Sequence, residues 1–162
     1  MPTPSAQLIQ LTQVSHALPL DPFALKALGL ATALLFFKML AIAIFQGSVR
    51  AKNDVYTNPE DAAFIGKSET AQAEHPDYLR LSKAYRNDLE NIPIFLGLAW
   101  AFLHLHGSDA WAPAYFAVFT VARYGHSFFY LKAIQPWRAL AFALGALVNV
   151  ALAIQLVFCT FR

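Results

Sequence analysis

Two stripes of polar side chains carry the chemistry that this sequence can do. Arg123, His126, Ser127 and Tyr130 recur at i, i+3, i+4 and i+7 within an otherwise apolar run, so a helix places them on one face. An arginine at bilayer depth is costly and needs a partner or a wet cavity. Asp88 and Glu90 are the carboxylates that could pair with Arg123 across helices, in a structural rather than a catalytic role. Lys83, Arg86, Asn87 and Glu90 repeat the same spacing, and Arg80 extends that stripe. For this second stripe two readings stay open, a solvated charged face and a ligand-binding face. Arg138 is the third element, either a cytoplasmic-side anchor or a member of the same pocket. A cationic cleft with one or two carboxylates at a membrane boundary suits a small anionic, polar ligand. The bilayer beside it supplies an apolar second substrate, so the implied chemistry joins a water-soluble cosubstrate to a lipophilic molecule.

The elements that must position these residues are long and apolar. The chain has 162 residues, 57% hydrophobic and 14% charged, against about a quarter charged in soluble domains. A membrane span needs roughly 20 mostly apolar residues, and four segments approach that length. They predict helices over 24–46, 77–106, 111–134 and 137–161, with a polar loop over 47–76. The expected fold is all-α, an integral membrane four-helix bundle forming one domain over residues 1–162. Lys38 lies deep in the first segment, where it either snorkels or faces a partner helix. Asn58-Pro59 signals a turn, with Pro59-Glu60-Asp61 as the first turn of a short helix. Asp77 is the expected cap of the second helix, and Pro93 is expected to free the carbonyl of Leu89 and kink it. The link from Lys132 to Arg138 is short enough to make the third and fourth segments antiparallel neighbours.

Lys and Arg gather in the 47–86 region and the third–fourth link, and are missing from the N-terminal tail and the His106–Ala110 link. Both termini are therefore expected outside the cytoplasm, with the polar site on the cytoplasmic side of a multi-pass protein. A bacterial inner membrane and the endoplasmic reticulum both remain open. The first 22 residues lack Lys and Arg, so no cleavable signal peptide is expected. A net charge of +2 without basic–aromatic clustering argues against nucleic acid as a partner. Cys159 is the single cysteine, read as a small apolar filler. His104 and His106 have no third ligand in view and read as interfacial, so no metal site is expected. His16 and His75 carry no signal. Asn149 and Gln155 can hydrogen-bond between helices.

Three stretches together resemble the MAPEG family, the membrane-associated proteins of eicosanoid and glutathione metabolism, in its microsomal prostaglandin E synthase and glutathione transferase branch. They are Lys38-Met39 through Gly47-Ser48-Val49-Arg50 with Thr57-Asn58-Pro59-Glu60-Asp61-Ala62; Arg86-Asn87-Asp88-Leu89-Glu90-Asn91-Ile92 with Phe95-Leu96; and Arg123-Tyr124-Gly125-His126 through Tyr130-Leu131 with Pro136 and Arg138. The resemblance runs from Phe37 to the C-terminus. It implies a homotrimer in membrane lipid, with glutathione between subunits on the cytoplasmic side. It implies that Arg50, Arg86, Asn87, Glu90, His126, Tyr130 and Arg138 hold glutathione, and that Arg138 lies near its sulfur. A guanidinium there favours the thiolate, which then attacks a lipophilic electrophile or peroxide. Asp61 matches a family aspartate by position and is assigned the support of Arg138.

The sequence departs from the synthase pattern after Arg138. Ala139 replaces a serine, Phe142 replaces a tyrosine, and the link before Pro136 is one residue shorter. Without those hydroxyls, Arg138 or a water that it orients is left as the thiolate stabiliser. The resulting expectation is a glutathione S-transferase with peroxidase activity. A prostaglandin-E-synthase-like isomerase and a non-catalytic lipid-binding member are the alternatives.

Overall fold

A computed structural model describes residues 20–66, 68–105 and 110–161. The described residues are helical, without strands. His16, Lys67, His106 and the N-terminal tail before Leu20 lie outside them.

Helix α1, Pro22–Asn53, opens on Asp21, whose carboxylate accepts from the N–H groups of Phe23 at 3.2 Å and Ala24 at 3.0 Å. Pro22 at the first helical position loses no needed donor. The helix continues past the expected end at Gln46 because Arg50 and Lys52 in its last turn suit the negative end of the helix dipole. It stops at Asp54, where the chain turns left-handed at φ 50° and the Asp54 N–H returns to the carbonyl of Arg50. Its buried stripe is Ala24, Leu28, Ala31, Leu35, Lys38 and Ile42, spaced to face one side of a helix.

A short helical segment, Pro59–Asp61, runs into a π-helical turn, Ala62–Gly66. Helix α2 covers Pro76–His104 and passes through Pro93 without ending. Its cap is His75 rather than the expected Asp77: His75 Nδ1 accepts from the Asp77 N–H at 3.2 Å. Asp77 instead lies inside the first turn, where its charge meets the positive end of the dipole. Helix α3 is Ala112–Leu131 and helix α4 is Trp137–Thr160.

The strongest packing is between α3 and α4; α1 lies against α2 and α3, and α2 also touches α3 and α4. Phe95 of α2 stacks on Phe119 of α3 at 3.9 Å and meets Phe116 edge-on at 5.9 Å. Tyr124 on α3 donates to the carbonyl of Leu34 on α1 at 2.8 Å, and Gln155 on α4 donates to the hydroxyl of Tyr115 on α3. The outer faces are apolar as well. Phe23, Leu30, Phe36, Phe37, Ile44 and Phe45 on α1 are exposed, as are Leu147, Val150, Val157 and Phe158 on α4. Exposed aliphatic and aromatic surface on this scale calls for an apolar surrounding. Two helices, Pro22–Asn53 and Trp137–Thr160, are long and apolar enough to cross a membrane.

Candidate functional site

Three buried polar side chains, Lys38, Arg123 and Ser127, converge on one carboxylate. Asp88 is fully buried on α2 and pairs with Lys38 of α1. Its Oδ1 accepts from Arg123 of α3 through Nη2 at 2.7 Å and Nε at 3.2 Å, and Ser127 Oγ donates to its Oδ2 at 3.4 Å. Arg123 is also fully buried, and its Nη2 donates to Asn87 Oδ1 at 2.5 Å. Helix α4 closes over the arginine at Gly145, where a Cβ would stand 3.6 Å from Arg123 Cδ. All four long helices therefore meet around Arg123. Buried charge is tolerated only when paired and hydrogen-bonded, and here two cations share one carboxylate. Arg123 Nη1 and His126 Nδ1 are buried without a partner among the described residues.

Beyond this cluster is a cationic pocket of about 260 Å³, lined by Pro76, Leu79, Arg80, Lys83, Tyr130 and Arg138. The Arg138 guanidinium stands over the Tyr130 ring, 4.9 Å from its centroid. With its side-chain oxygen turned to Arg138, Gln135 accepts from Nε at 3.1 Å and Nη2 at 2.5 Å. Arg80 Nη1 donates to the Tyr130 carbonyl at 3.3 Å. His126 connects the pocket to the buried cluster, with its ring 5.7 Å from Tyr130 and 6.1 Å from Phe142. No carboxylate lines this pocket, so it attracts anions.

A third group lies under the 54–75 loop. Arg50 donates to Glu74 through Nε at 3.1 Å and also through Nη2, and its guanidinium lies 4.2 Å above the Tyr78 ring. Thr57 Oγ1 donates to Glu74 at 2.7 Å, while Asp61 stands 4.0 Å from Arg50 Nη1. The Arg50 hydrogen bonds hold the Glu74 carboxyl below its ordinary range, against the opposing effect of its burial.

The residues singled out in the sequence fall into three places within one chain. Asn87, His126, Tyr130 and Arg138 join the buried cluster and its cationic pocket. Arg50 and Asp61 lie together under the loop, where Asp61 faces Arg50 and not Arg138. Arg86 and Glu90 project outward as a 3.6 Å pair, with side chains 82% and 60% exposed. The stripe of Lys83, Arg86, Asn87 and Glu90 is thus divided: Asn87 turns inward to Arg123, and Arg86 and Glu90 point away. Of the partners open to Arg123, Asp88 is the one engaged, and Lys38 faces the same carboxylate instead of snorkelling. Glu74 was not singled out, because an isolated acid in a loop has no periodic neighbours to mark it. His104 Nδ1 donates to the Trp100 carbonyl at 2.9 Å, and no group of three or more potential metal ligands occurs among the described residues.

Residues 28–158 match the family model described as the MAPEG family. The prostaglandin E synthase of Homo sapiens is 35% identical over 147 residues, covering 89% of this chain and 95% of that protein. The prostaglandin E synthase of Equus caballus is 37% identical over 139 residues, covering 83% and 88%. Microsomal glutathione S-transferase 1 of Rattus norvegicus is 34% identical over 142 residues, covering 85% and 91%.

Proposed function

Because the chain belongs to the MAPEG family, we propose that it is a membrane-bound, glutathione-dependent transferase with peroxidase capacity, acting on lipophilic electrophiles and lipid peroxides. The observation that carries this reading is the pocket formed by Arg80, Lys83, Tyr130 and Arg138, cationic and free of carboxylates. A tripeptide with two carboxylates and an ionisable thiol matches that donor set. The unpartnered donor Nη1 of Arg123 and the free Nδ1 of His126 add unused hydrogen-bonding capacity beside it. Bound glutathione supplies the nucleophilic sulfur.

In this reading Arg138 stabilises a thiolate. A free thiol with a pKa of about 8.5 is mostly protonated at neutral pH, and an adjacent guanidinium lowers that value. Stacking on Tyr130 and the two contacts to Gln135 keep the Arg138 guanidinium oriented without neutralising it. Lys83, Asn87 and Tyr130 hold the rest of the ligand. Arg50, Arg86 and Glu90 belong to the same ligand set only if the site is shared between protomers of a homotrimer. The outward projection of Arg86 and Glu90 supports such sharing. Support of Arg138 by Asp61 would likewise come from a neighbouring protomer. The assembly we propose has four spans per chain, with the site at the cytoplasmic face, where Arg80, Lys83, Lys132 and Arg138 collect.

The relatives named prostaglandin E synthase favour a second reading, glutathione-dependent isomerisation of an endoperoxide-like lipid. Ala139 and Phe142 supply no hydroxyl for it. The test is the ultraviolet thiolate absorbance of glutathione bound to purified protein, followed by turnover of a nitroaryl chloride. Wild type should raise the thiolate band and conjugate, and Arg138→Ala should lose both. Equal conjugation by Arg138→Ala refutes the catalytic assignment. Binding without turnover of electrophile or peroxide favours a non-catalytic lipid-binding member.

A further inference from the structure

The fully buried Arg123 touches two neighbouring residues of α2 at once, Asp88 and Asn87. An asparagine amide presents either its oxygen or its NH₂ by rotating about one bond. Arg123 removes that choice. A guanidinium has donors and no acceptor, so the Asn87 oxygen must face it, at 2.5 Å. The Asn87 NH₂ group is thereby turned away from Arg123, on a half-buried residue one helical turn beyond Lys83 of the cationic pocket. We propose that Arg123 is a positioning residue, which locks Asn87 as a pure hydrogen-bond donor toward a ligand carbonyl or carboxylate. The proposal rests on the glutathione reading above for the identity of that ligand.

The rest of the cluster explains how Arg123 stays in place. Its Nε and Nη2 converge on Asp88 Oδ1. Lys38 and Ser127 take the other oxygen, Oδ2, so the carboxylate cannot rotate away from the guanidinium. Gly145 lets α4 lie against the arginine stem at ordinary contact distance. A lysine at position 123 would keep a positive charge for Asp88 but has no planar fork to span both Asp88 and Asn87.

The test is a double-mutant cycle on reduced-glutathione affinity in detergent, using Arg123→Lys, Asn87→Ala and the pair. Each single variant should raise Kd about tenfold, the scale of one lost hydrogen bond. The pair should show about the same tenfold rise, because the two residues act as a unit. An additive rise of about a hundredfold, even with a lowered melting midpoint, would mean that Arg123 is only structural and would overturn the proposal. A second readout needs no ligand: the Asn87 side-chain NH₂ cross-peaks, displaced in wild type by the guanidinium held against the amide oxygen, should shift toward the positions of a free asparagine amide in Arg123→Lys. Unchanged resonances would also overturn it. Wild type that ignores glutathione, with the cross-peak shift still seen in Arg123→Lys, would sink the glutathione reading and leave the lock standing. Should Arg123→Lys fail to fold, Asn87→Asp keeps the Arg123 partner and removes the donors. Wild-type affinity in Asn87→Asp would refute the assignment.

Discussion

Removing either partner of the Lys38–Asp88 pair should have sharply unequal effects. Asp88→Asn keeps the volume and one oxygen, but leaves Lys38 and Arg123 as two buried cations without a counter-charge. The three side chains are 5%, 0% and 0% exposed, so water cannot take over. Breaking a buried pair by removing one member costs about 3–5 kcal/mol, and a figure of about 4 kcal/mol lowers the folding constant roughly a thousandfold. Lys38→Met acts in the opposite direction on charge. It takes the cluster from two cations and one anion to one of each, and it leaves all Arg123 contacts to Asp88 and Asn87 intact. The lost pairing is offset by the desolvation that the lysine no longer suffers, so the net change should stay within about 1 kcal/mol. Unfolding followed by far-ultraviolet circular dichroism in a fixed detergent, with the three proteins side by side, measures the difference. Equal losses for the two variants, or an Asp88→Asn protein within about 1 kcal/mol of wild type, would refute the claim that one carboxylate neutralises this interior.

Gly145 and Glu74 give two further predictions. Gly145→Ala should be tolerated or stabilising by about 0.5–1 kcal/mol, because its Cβ meets Arg123, Phe119 and Ala122 no closer than 3.6 Å and alanine is the better helix former. Gly145→Leu must push the Arg123 stem aside and should cost about 1–3 kcal/mol in the same unfolding assay. Glu74→Gln should destabilise the protein by about 1–2 kcal/mol at neutral pH through the weakened Arg50 bonds. Its carboxyl titrates below the ordinary value, so the stabilisation exists above about pH 4.3 and disappears as pH falls through the lower folded value. The melting gap between wild type and Glu74→Gln should therefore close in strong acid; a gap that persists there contradicts the pairing.

Long-range periodicity made much of this protein legible. The apolar runs announced the helices, and the spacing of Arg123, His126, Ser127 and Tyr130 announced a polar face that needed a partner. Arg123 drew attention to Asp88 because a buried guanidinium has few ways to be satisfied. Lys38 was visible as an anomaly in an apolar run, but its partner was 50 residues away, and no local rule connects such positions. Helix ends were harder to place. Gly47–Asn53 reads as polar loop by composition, yet the helix continues there because basic residues suit its final turn. The two halves of the Lys83–Glu90 stripe could not be separated from spacing alone. Which residue of a polar face turns inward depends on the neighbour that meets it, and here that neighbour comes from α3. Glu74 was invisible for the same reason, since its role is set by the return path of a loop and not by a repeat.

The Tyr124 hydroxyl that reaches the Leu34 carbonyl acts as a ruler between two helices. Tyr124 adjoins Arg123, and Leu34 lies one turn before Lys38. The bond thus fixes how far α1 can slide along α3 at the level where the charges meet. A slip by one helical turn, about 5.4 Å, would break the hydroxyl contact and carry the ammonium away from Asp88 together. Axial alignment and charge balance are consequently one constraint, and any motion that opens this end of the molecule must pivot the helices instead of translating them.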